Sequence, residues 1–159
     1  MSMKTKTPIR FVSEGKTAIK VTVPTPEGSR RFRSVGFKKI GREKAIELAV
    51  KERDRIGKEE WGKFWPRVLS DQDLLSRLPR NLEPTLRIAP DKKSPVYEYV
   101  ANWMKYKDGK RVKAGCRYSC REHGKLGAYT KAKQALLNAY HSDLALLSFM
   151  GRAPNVKLQ

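Results

Sequence analysis

Residues 96–120 read VYEYVANWMKYKDGKRVKAGCRYSC, and the fold turns on this stretch. Asp108-Gly109 is a two-residue hairpin signal, because a type I′ turn needs positive φ at both central positions and these residues tolerate it. On either side, apolar and polar residues alternate with the period of a half-buried strand. The pattern predicts strands over Val96–Tyr106 and Arg111–Cys120. With the loop at 108–109, Tyr106 faces Arg111, Met104 faces Lys113 and Asn102 faces Gly115. On the other side Trp103 meets Ala114, Ala101 meets Cys116 and Tyr99 meets Tyr118. That second set is apolar and belongs beneath a helix. The first, extended by Arg117, is basic and open.

Upstream, Leu86-Arg87-Ile88 reads as a third strand, reached through a turn at Pro90–Pro95. Downstream, beyond Gly124 and a short insertion, Ala132, Leu136, Leu137, Tyr140, Leu144 and Leu147 recur at helical spacing. A helix is expected from Thr130 to Phe149.

The same plan occurs earlier in the chain. Pro8–Val12 alternates, with Ile9 and Phe11 on one face and Arg10 on the other; Glu14-Gly15-Lys16 is a turn, and Ala18–Val23 alternates again. Pro24–Ser29 is a Pro/Gly loop, Arg30–Val35 a third strand, and Arg42–Ile56 a helix whose stripe is Ala45, Ile46, Ala49 and Val50. A loop over 24–29 pairs Thr22 with Arg31 and Lys20 with Arg33, and sets Val21 against Phe32 beneath. The expected fold is α+β, with two modules at 1–56 and 85–159. Each is a three-stranded antiparallel sheet packed on one α-helix, and a short helical, aromatic-rich linker at 57–84 joins them. Trp61, Phe64 and Trp65 are expected to wedge the two modules together, and Ser70 to cap a short helix stopped by Pro79.

The chain has 159 residues and a formal net charge of +19, divided +9 over 1–56, 0 over 57–84 and +10 over 85–159. So large a charge opposes compaction unless a polyanion neutralises it. An antiparallel sheet often has a solvated polar face. Like charges set beside one another across strands are unfavourable, however. Lys20 beside Arg33, and Lys113 near Arg111 and Arg117, therefore point to a phosphate-binding surface in both modules.

Three strands and a helix with a basic sheet face resemble the ethylene-response-factor-type (Apetala-like) DNA-binding domain. The versions in phage and bacterial homing endonucleases look closest, here in two tandem copies. The residues carrying the likeness are Val35-Gly36-Phe37-Lys38-Lys39-Ile40-Gly41 followed by Ala45, Leu48 and Ala49. In the second copy they are Tyr118-Ser119-Cys120-Arg121-Glu122-His123-Gly124 followed by Lys131-Ala132, with Trp103 and the Asp-Gly-Lys hairpin. The first copy lacks the central Trp. The resemblance implies that the sheet lies in the major groove of double-stranded DNA. By position it implies contacts from Arg10, Lys20, Thr22, Arg31 and Arg33 in the first copy, and from Arg87, Asn102, Arg111, Lys113 and Arg117 in the second.

Other chemistries fit less well. Cys116, Cys120, His123 and His141 have an unusual zinc spacing, and the hairpin pairing turns Cys116 inward, so no metal is expected. Two histidines and no His/Asn cluster argue against a nuclease, and no cofactor motif occurs. Gly124-Lys125-Leu126-Gly127 is too short to cradle a phosphate. No run of about 18 apolar residues suggests a membrane span, and Met1–Lys6 has no apolar segment behind it, so a cytoplasmic protein is expected. Phe149 and Met150 offer a surface for a homodimer. The expected role is a sequence-specific DNA-binding regulator, a repressor acting by occupancy, of phage or mobile-element origin. The rivals are an RNA-binding or ribosome-associated protein and a phage-encoded inhibitor working by protein contact.

Overall fold

The computed structural model describes residues 9–89 and 95–153. Met1–Lys6, the start of the first expected strand at Pro8, and most of the expected turn at 90–95 lie outside the described residues. The chain divides into two compact units, Met1–Gln72 and Asp73–Gln159, so the break falls inside the stretch expected to be a linker.

The first unit contains β1 (Val12–Glu14), β2 (Ala18–Pro24) and β3 (Arg30–Gly36), which form an antiparallel sheet in that order, followed by α1 (Arg42–Trp61) and α2 (Trp65–Ser70). Alternation along β2 turns Ile19, Val21 and Val23 inward, where they are buried with Ala45, Ala49 and Ile56 of α1. Helix α1 runs on past Ile56 to Trp61. Gly57 does not end it, because this glycine makes room for a neighbour: a Cβ there would land inside the Trp65 ring. Trp61 Nε1 donates to the Pro24 carbonyl at 2.8 Å, and the Phe11 and Trp65 rings stack with centroids 5.9 Å apart. Both tryptophans are thus core residues of the first unit. Ser70 closes α2 and does not cap the next helix.

The second unit contains α3 (Leu74–Arg77), then β4 (Thr85–Ile88), β5 (Tyr97–Lys107) and β6 (Lys110–Ser119) in an antiparallel sheet of that order, then α4 (Cys120–Ala139) and α5 (Leu144–Phe149). Asp108 and Gly109 take φ of 53° and 75°, as the two-residue turn requires. Every β5–β6 pair anticipated from that turn is present. Tyr99, Ala101, Tyr129, Ala132 and Leu136 are buried between sheet and α4, with Tyr99 and Tyr129 edge to face at 5.4 Å.

The single helix expected over 130–149 is corrected at both ends. Ser119 Oγ accepts the Arg121 N–H at 3.1 Å and starts the helix at Cys120. The insertion after Gly124 is helical too, with the break confined to Gly124 at φ 72°. At the far end α4 stops at Ala139, and a 3₁₀ turn over His141–Asp143, all weak helix formers, separates it from α5. Among the described residues, no helix is long and apolar enough to cross a membrane.

Candidate nucleic-acid interface

A one-residue slip in strand pairing moves every side chain to the opposite face, and β3 illustrates it. The observed partners are Thr22 with Phe32, Val21 with Arg33, Val23 with Arg31 and Lys20 with Ser34. The expected pairs, Thr22–Arg31 and Lys20–Arg33, do not form. The cause is the loop. Gly28 N–H donates to the Thr25 carbonyl at 3.1 Å, Thr25 N–H donates to the Ser29 carbonyl at 2.9 Å, and Gly28 has φ 94°. This is a three-residue connection, Pro26-Glu27-Gly28, with a left-handed glycine closing a bulge. An odd loop replaces the even one, and the register moves by one.

Arg31 and Arg33 consequently lie on the face that meets α1. Arg31 Nη1 donates to Glu59 at 2.9 Å and to Glu60 at 3.1 Å. The two carboxylates raise the Arg31 guanidinium above its ordinary value. Arg31, and after it Arg55, holds Glu59 below the usual carboxylate range. Arg33 acts through space on Glu52 of α1. Arg10 also leaves the sheet face. It sits in a turn ahead of β1, its guanidinium 4.3 Å over the Phe11 ring and donating to the Val68 carbonyl at 3.5 Å. Phe11 has φ 63°, which ends the extended run expected from Pro8.

The open face of the first sheet carries Lys20, Thr22, Arg30, Phe32 and Ser34, with Ser13 and Pro24 beside them. Phe32 is 70% exposed. Neither it nor Arg30 is anticipated as a site residue from sequence. Pro26-Glu27-Gly28 was compatible with the odd loop, but the sequence alone did not choose it over the even one.

The second sheet keeps the anticipated arrangement. Asn102, Met104, Tyr106, Arg111, Lys113, Gly115 and Arg117 share the face away from α4. Arg87 stands on it too, but Nε donates to the buried Glu98 at 2.8 Å, which neutralises it. Arg111 donates to the Ser76 carbonyl at 2.8 Å. Lys113 and Arg117 are exposed and have no ion-pair partner among the described residues. Strand β4 pairs only with Tyr97–Val100, so from Ala101 to the turn the hairpin is a two-stranded ribbon among the described residues. Its tip, residues 105–113, carries Lys105, Lys107, Lys110, Arg111 and Lys113 against one acid, Asp108. A concavity beside the ribbon has polar lining from Arg77, Arg80, Asn102, Arg111 and Lys113 and apolar lining from Leu78, Trp103 and Tyr140, among others.

Cys116 faces α4, as the pairing anticipated, and both Cys116 and Cys120 are free thiols. Among the described residues no group of three His, Cys, Asp or Glu side chains could hold a metal. Of the ten anticipated contacts, the two sheets present Lys20 and Thr22 on one open face, and Arg87, Asn102, Arg111, Lys113 and Arg117 on the other. No family model, curated protein or solved structure matches the chain.

Proposed function

We propose that the chain is a double-stranded DNA-binding protein that uses the open faces of its two sheets, and that it regulates transcription as a repressor by occupancy. The observation carrying this reading is the β5–β6 ribbon. The major groove is about 12 Å wide and admits a two-stranded β-ribbon. This ribbon is cationic at its tip and has Lys113, Arg117 and the Asn102 carboxamide on one face. Unpaired cations supply phosphate attraction, and a carboxamide among them supplies base recognition. The resemblance to tandem ethylene-response-factor-type domains supports the same reading. Linking two such faces in one chain raises affinity through effective concentration. Action in the cytoplasm of a bacterial host, at its nucleoid, belongs to this proposal.

One observation favours a second reading. An exposed aromatic such as Phe32, set among Lys20, Arg30 and Thr22, is also how proteins stack unpaired bases. A competition gel offering labelled duplex DNA against unlabelled duplex, single strands and structured RNA separates the two. The duplex reading expects duplex to compete best, and equal or better competition by RNA or single strands overturns it.

A further inference from the structure

Asn102 and Gly115 stand directly opposite each other in the middle of the β5–β6 ribbon. Both are poor strand residues. Asn is depleted from strands, and a glycine inside a strand loses entropy and packing and often marks a place where something else comes close. Here the near neighbour is Asn102 itself. A Cβ at Gly115 would lie 2.5 Å from Asn102 Oδ1 and 2.8 Å from the Ala101 carbonyl oxygen. The carboxamide therefore lies across the glycine on the open face, in space that any side chain at 115 would take. It is exposed, and it makes no hydrogen bond among the described residues. Two unfavourable choices at one spot, with no stabilising return, are the mark of a functional position.

We infer that the Asn102 carboxamide, cradled by Gly115, reads an adenine edge in the major groove. The inference rests on the duplex-binding reading and adds to it a named base. A carboxamide offers one acceptor and one N–H donor side by side. Adenine offers the complement, an N6 amino donor beside the N7 acceptor, whereas guanine presents two acceptors. Lys113 and Arg117 flank Asn102 on the same face and would hold the phosphates that position it.

The test begins with selection of a duplex from a random pool by the full chain, followed by resynthesis of that duplex with 7-deaza-adenine, which lacks N7. The wild-type chain is expected to bind the substituted duplex at least about fivefold more weakly, the discrimination one bidentate base contact provides. Asn102→Ala is expected to bind the unmodified duplex at that weaker level and to be indifferent to the substitution. Its melting temperature should be equal or higher, because alanine is no worse than asparagine in a strand; a fall would instead indicate a structural role and count against the inference. Wild-type indifference to 7-deaza-adenine overturns the inference while leaving duplex binding intact. An unchanged sensitivity in Asn102→Ala overturns it as well, because another residue would then be the reader. If the wild-type chain selects no duplex at all, the inference fails together with the reading beneath it.

Discussion

Val21 lies opposite Arg33 in the antiparallel pairing of β2 and β3. Val21 is fully buried, so Arg33, on the same face, belongs with α1 and not with the open surface. The same step gives Arg31 to Glu59 and Glu60 and turns Phe32 outward. The basic face of the first unit is therefore Lys20 with Arg30, while Arg31 is tied to α1 through Glu59 and Glu60.

This division separates binding from stability. Lys20→Gln with Arg30→Gln should lower the slope of log affinity against log salt by roughly 0.9 for each phosphate contact removed, with the melting temperature nearly unchanged. Arg31→Gln should lower the melting temperature and leave the salt slope close to that of the wild type. Fluorescence anisotropy across a salt series, beside thermal melts, checks both. Equal slope changes in the two proteins would contradict the assignment of faces.

The Arg31–Glu59 pair also gives a pH dependence. Glu59 titrates below its ordinary value of 4.5 because of Arg31 and Arg55, and Glu52 does so because of Arg55. A lowered carboxylate value means that the contribution is complete above the ordinary value and is lost as the pH falls through and below it. The stability gap between wild type and Arg31→Gln should therefore be constant near neutrality and shrink as the pH falls below 4.5. Urea midpoints at a series of pH values measure the gap, and one that widens on acidification would show the pair is not its source.

Gly57 makes a prediction of unusual sign. At an exposed helix interior Gly→Ala stabilises by about 1 kcal/mol. At position 57 the methyl would enter the Trp65 ring, so Gly57→Ala should cost about 1–3 kcal/mol by overpacking. Chemical denaturation gives the value, and a stabilised Gly57→Ala would mean that Trp65 does not pack there.

Phe32, 70% exposed on a sheet face, suits contact with a thymine methyl group. A selected duplex remade with uracil for thymine should bind about fourfold more weakly, the worth of one buried methyl. Phe32→Ala should be insensitive to that exchange. Sensitivity that persists in Phe32→Ala would place the methyl contact elsewhere.

How much of this was legible in the residues depended on the turns. Asp108-Gly109 has one short closure, so the β5–β6 register and the whole second face followed from it. Pro24–Ser29 allows closures of either parity, and only the hydrogen bonds of Thr25, Gly28 and Ser29 choose the odd one. The choice moved Arg31, Arg33 and Phe32 together. Helix α1 passed its expected end because a glycine in a helix usually signals weakness, and only tertiary contact shows that Trp65 fills the gap. Arg10 was placed by alternation, which the positive φ of Phe11 interrupts, and single residues of that kind leave no periodic trace.

The ribbon of the second unit is the centre of the proposal, and Lys113 and Arg117 are exposed cations on its open face with no ion-pair partner among the described residues. The most direct measurement is the affinity of Lys113→Gln/Arg117→Gln for a selected duplex over a salt series, beside wild type and with melting temperature as the control. The expected result is a lower affinity at every salt concentration, a slope reduced by roughly 1.8 for the two lost contacts, and an unchanged melting temperature. Wild-type affinity and slope in that doubly substituted protein would contradict the central claim.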